Sequence, residues 1–168
     1  MLTLAYSQVR YSERTMRFLT SLLGIALFAA QAHAQTKETS MHHAHGTFTV
    51  DVRPAQPDLP EGLKRYSLDK QIHGDLEATG KGEMLAGGDP RQGAAGYVAM
   101  ELVTGTLGGK HGSFALQHSA TISADGQKMT IIVVPGSGTG DLKGIAGTFT
   151  IRIEDKQHFY DFDYEMPE

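Results

Sequence analysis

The sequence predicts an all-β protein, an eight-stranded antiparallel closed β-barrel that follows an N-terminal signal peptide. Three observations carry this. From residue 46 onward, apolar and polar side chains alternate with period two in eight short runs broken by Gly, Pro and Asp. No part of that region has the apolar spacing of a long amphipathic helix. The 20 glycines suit tight turns and strand kinks. Short strands on short connections fit a barrel or a sandwich. Closing the sheet removes its edges, which favours the barrel. Eight strands enclose either a filled core or room for one small ligand.

The chain opens with Arg10, Arg14 and Arg17, then an apolar run at 18–30 (FLTSLLGIALFAA). Ala32 and Ala34 flank His33 as the small residues that a signal peptidase reads. The run has 13 residues, whereas a membrane span needs about 20. Residues 1–34 are therefore expected to be a cleaved signal rather than a stable membrane anchor. Met16, directly before Arg17, makes a more usual start than Met1. The expected destination is periplasmic or extracellular. Residues 35–45 read as a flexible, His-containing leader, and 46–168 as a single barrel domain.

The strands are expected at 47–52 (TFTVDV), 64–73, 75–85, 96–107, 112–122, 128–134, 148–153 and 157–164 (QHFYDFDY). In the second, Tyr66, Leu68 and Ile72 share a face. In the third, Leu76, Ala78, Gly80, Gly82 and Met84 oppose Glu77, Lys81 and Glu83.

Composition excludes several classes. Removing residues 1–34, with three Arg and one Glu, leaves 134 residues with 12 basic and 18 acidic side chains. An acidic domain without a basic stripe is not a nucleic-acid binder. The absence of Cys rules out disulfides, lipid attachment at a cysteine and thiolate chemistry. The Gly-rich stretch 133–147 (VVPGSGTGDLKGIAG) lacks the Gly-Lys-Ser/Thr ending of a P-loop and the βαβ setting of a dinucleotide site. It reads as a strand end, a glycine turn and one helical turn from Asp141. No cofactor is expected. His42, His43 and His45 are the only metal candidates, and a mobile tail makes them adventitious ligands rather than a site.

The fourth and fifth strands carry the candidate chemistry. A two-residue turn at Gly109-Lys110 places Glu101 opposite His118. A turn at Gly108-Gly109 makes the two diagonal neighbours on the same face, whereas a three-residue turn separates their faces. The shared face holds Tyr97, Ala99, Glu101, Val103, Phe114, Leu116 and His118: apolar, with one acid and one base. Val98, Met100 and Leu102 make the opposite face less clearly solvated. Glu101 and His118 are candidate catalytic residues. Tyr97, Phe114 and Leu116 are candidate ligand-binding residues, and Glu83 joins them if its face points into the lumen. A polar pair that merely fixes strand register is the preferred explanation of Glu101 and His118, since buried ion pairs also occur without catalytic purpose.

The segments GYVAMELVTGTLGGKHGSFALQHSATI, VVPGSGTGDLKGIAGTFTI, YDFDYEMP and HGDLEATGKGEML resemble, in order, an uncharacterised bacterial family, domain of unknown function 3224. The resemblance spans about residues 45–167. It implies an eight-stranded barrel like that of plant allene oxide cyclase, and it implies no function. Three readings stay open. The first is an exported barrel holding a small, largely apolar molecule in its lumen. The second is a cyclase or isomerase using Glu101 and His118. The third is a filled barrel acting through its surface. A homodimer is compatible with each.

Overall fold

The computed structural model describes residues 39–56 and 59–167. Its strands are β1 (Thr39–Pro54), β2 (Leu63–Gly74), β3 (Leu76–Asp89), β4 (Ala94–Leu107), β5 (Lys110–Ser123), β6 (Gly126–Val133), β7 (Ala146–Glu154) and β8 (Gln157–Pro167). They close into one antiparallel barrel in chain order. Every run of period-two alternation has become a strand. The residues expected to form the signal peptide, 1–34, lie outside the described part of the chain. Among the described residues no helix is long and apolar enough to cross a membrane.

The leader needs correction. Within 35–45, residues 39–45 are the first half of β1 and pair with β8 from Thr39↔Pro167 to His45↔Asp161. Only Ala44 there is a buried apolar residue. His42 stacks on Tyr164 near the rim, so polar side chains conceal the alternation. The ladder with β8, not an apolar face, makes this segment a strand.

One end of the barrel is packed solid. Phe114, Phe149, Tyr160 and Phe162 are buried: Phe114 stacks on Phe162 and Phe149 on Tyr160, while Phe149 and Phe162 meet at a tilt, all at centroid separations of 5.1–5.5 Å. The Leu76 N–H donates to the Tyr160 hydroxyl at 2.9 Å, satisfying a polar group inside the core. The Gly-rich connection from β6 to β7 closes this end. Its Val134 and Thr139 N–H groups donate to Ala115 and Ser113 carbonyls of β5. It makes one 3-10 turn, Gly140–Leu142, where the sequence places a helical turn. Leu142 and Ile145 insert as a plug, each 1% exposed. Gly112 admits this connection, since a Cβ there would lie 2.1 Å from the Thr139 carbonyl oxygen. Because the connection occupies the edge of β5, β6 is short and its register with β7 reduces to Ile132↔Thr148.

Candidate functional site

The turn between β4 and β5 decides how Glu101 and His118 meet. Gly108 and Gly109 both have positive φ, at 56° and 80°. A type I′ turn requires this at both central positions, and consecutive glycines meet it without strain. Leu107 therefore pairs with Lys110, Glu101 with Leu116, and Ala99 with His118. The directly opposed register is corrected to the diagonal one. Both side chains remain on the inner face, and diagonal neighbours are within reach of long side chains.

A third residue completes the cluster. Lys70 on β2 is 5% exposed, and its Nζ donates to Glu101 Oε2 at 2.7 Å. His118 Nε2 lies 3.1 Å from the same oxygen but off the axis of a hydrogen bond. Lys70 was legible: it has the parity of Tyr66, Leu68 and Ile72, the apolar face of its strand. A lysine reads as a solvated residue, and that hides the inward position. Lys70 also stands 4.9 Å from the centroid of the Phe48 ring, a cation–π contact. The cluster needs space from β3. A Cβ at Gly80 would lie 1.9 Å from Glu101 Oε1.

The Glu101 side chain is wholly buried. Burial pushes its carboxyl up. The His118 contact and the Lys70 ammonium together outweigh this and hold it below the ordinary carboxylate range. The cluster is therefore a carboxylate clamped between a cation and an imidazole. Glu101 Oε1 and His118 Nε2 are buried without hydrogen-bond partners.

Beyond this cluster the lumen opens. A cavity of about 230 Å³ is lined by side chains of all eight strands, among them Phe48, Leu68, Met84 and Ile151. Lys70 and His118 line it, and Glu101 sits behind them. The strand ends around it, including Val52, Gln127 and Ile153, belong to the end opposite the plug. Tyr97 lines this open half, its hydroxyl 3.9 Å from Met129 Sδ, and burial pushes its phenol pKa up.

The other candidates sort by half and by face. Phe114 and Leu116 are buried in the packed half and below the cavity, not on its wall. Glu83 is on the outer surface, where it pairs with Arg65, because β3 turns its glycine and alanine positions inward. His43 and His45 point outward in a strand with carboxylates beside them: His43 pairs with Asp163, and His45 Nδ1 lies 3.0 Å from Asp75. His42 Nε2 contacts the Ser40 hydroxyl at 2.6 Å. Among the described residues no three His, Asp or Glu side chains converge in a metal-binding arrangement.

Fold and site define a class: a closed eight-stranded barrel, plugged at one end and open at the other, with a buried Lys–Glu–His cluster where the halves meet. The chain belongs to the DUF3224 family, described as "Protein of unknown function (DUF3224)", whose profile matches residues 44–164. It is similar to a protein with unknown function from that family from Shewanella oneidensis MR-1, known from a crystal structure. The two are 41% identical with a TM-score of 0.71, and the match covers 77% of this chain and 98% of that one. No curated protein matches this chain.

Proposed function

We propose that the protein is an exported barrel that binds a small, largely apolar molecule in the open half of its lumen. The observation that carries this reading is the half-filled barrel itself. A wall of Phe48, Leu68, Met84, Tyr97 and Ile151 meets polar groups only at its floor and rim. Small-molecule sites have this make-up, apolar walls with a few placed polar groups. The cavity is below the ~300 Å³ lower bound of drug-sized sites, so it suits a compact ligand. Export is supported by the sequence alone, in which Arg10, Arg14 and Arg17 precede a 13-residue apolar run and an Ala-His-Ala cleavage pattern. The apolar outer face of β4, with Val98, Met100 and Leu102 exposed, supports a homodimer.

A second reading is favoured by the buried cluster. A carboxylate, an ammonium and an imidazole beside an apolar cavity suit acid–base assistance to an isomerisation or cyclisation. There Glu101 is the base or electrostatic stabiliser and His118 the proton partner.

Native mass spectrometry of the protein isolated from its producing cell tests these points together. The expected spectrum has a polypeptide starting near Gln35, a dimer, and a dissociable small-molecule adduct that Ala99→Phe, placed in the cavity wall, removes. A chain starting at Met1 or Met16 refutes export, and a monomer refutes the dimer. An adduct that survives Ala99→Phe refutes the lumen site.

A further inference from the structure

We infer that the molecule held in the open half carries a hydrogen-bond-accepting anionic head, a carboxylate, which seats against Lys70 and His118 with its apolar body toward Tyr97 and Met84. This rests on the lumen-binding reading above and names the ligand class for that site. The first observation is unused donor capacity. An ammonium has three donors. Lys70 gives one to Glu101 Oε2, and among the described residues Nζ makes no other hydrogen bond. Lys70 nonetheless lines the cavity and is 5% exposed. Burying a cation with unsatisfied donors is costly unless a partner completes them.

The second observation is His118. It is 3% exposed and lines the cavity, and its Nε2 faces Glu101 Oε2 at 3.1 Å without an aligned hydrogen bond among the described residues. The third is the sign of the lining. Among the described residues no acidic side chain lines the cavity, and its polar side chains are Lys70, His118, Tyr97, Gln127 and His158, all able to donate. Glu101 is wholly buried at the floor: its Oε2 accepts from Lys70 and faces His118, and its unpartnered Oε1 lies beside Gly80, where neither residue lines the cavity. An amine head would face the Lys70 ammonium, and among the described residues no carboxylate lines the cavity to receive it. A hydroxyl head would leave most of the Lys70 donors unmet. A carboxylate offers two acceptor oxygens and charge-assisted hydrogen bonds, which are shorter and stronger than neutral ones.

Matched probes test the inference. Heptyl and naphthylmethyl tails, each ending in carboxylate, hydroxymethyl or aminomethyl, are titrated calorimetrically into the purified protein. The expected result is one site per barrel, with the carboxylate of at least one tail binding about tenfold or more tighter than its alcohol, and the amine weakest. That ratio corresponds to about 1.4 kcal/mol. In the double variant Lys70→Met/Glu101→Gln, which removes the buried charge pair together, the preference should fall below about threefold, or about 0.65 kcal/mol. Alcohols that bind as tightly as carboxylates, preferred amines, or an undiminished preference in the double variant overturn the inference and leave lumen binding standing. If no probe with either tail binds, lumen binding falls and the inference falls with it.

Discussion

Gly80 leaves the space that the Glu101 carboxylate occupies, and this single absence of a methyl group sets the geometry of the cluster. Gly80→Ala should displace Oε1 and cost roughly 1–3 kcal/mol, as overpacking does, measurable by urea unfolding. Glu101→Gln alone leaves the Lys70 ammonium buried without a counter-charge and should cost about 3–5 kcal/mol. Adding Lys70→Met should recover most of that, because neutral, well-packed replacements of a buried ion pair are often neutral or stabilising. If the double variant is as unstable as Glu101→Gln, uncompensated charge is not the cause. The lowered Glu101 pKa has a definite sign. Its stabilisation is present above the unfolded value of about 4.3 and is lost as pH falls through the lower folded value. Stability of the wild type should therefore decline below about pH 4, more steeply than that of Lys70→Met/Glu101→Gln. Parallel curves for the two proteins would remove Glu101 from the acid response.

The β6–β7 connection acts as an element in its own right, since it stands beside β5 and supplies the plug. Leu142→Ala should cost about 2–5 kcal/mol, like other large-to-small changes in a core. A cost under about 0.5 kcal/mol, typical of surface sites, would mean that the plug is not packed as described. Strand positions were legible because alternation survives in each run, and the single turn at Asp141 was legible from Gly and Asp punctuation. The β4–β5 register was not settled by sequence. Gly109-Lys110 satisfies one turn type and Gly108-Gly109 another, and both keep Glu101 and His118 on one face. The realised turn follows from two consecutive positive φ angles. Residues 39–45 were illegible as strand because their partner, the C-terminal end of β8, lies more than a hundred residues away and their side chains are mostly polar. Lys70 shows the converse: its parity was readable, but a charged side chain argues against burial until its partner is seen.

At the scale of the whole molecule, the aromatic half and the open half divide the labour. Stacked Phe114, Phe149, Tyr160 and Phe162, together with Leu142 and Ile145, form the core that a Cys-free domain needs. This leaves the other half free to keep a cavity over the Lys70–Glu101–His118 cluster. A choice between a filled lumen and an open one was therefore too coarse, since the barrel is both along its length. No periodicity in the sequence marks that division, because period-two alternation with apolar inward positions runs through both halves. The most direct test of the account is a crystal structure of the protein purified from its producing cell without added ligand. The account predicts electron density for a compact non-protein molecule between His118 and Tyr97, and none among Phe114, Phe162 and Leu142. Side chains collapsed into the open half, leaving no cavity above Lys70 and His118, would contradict it.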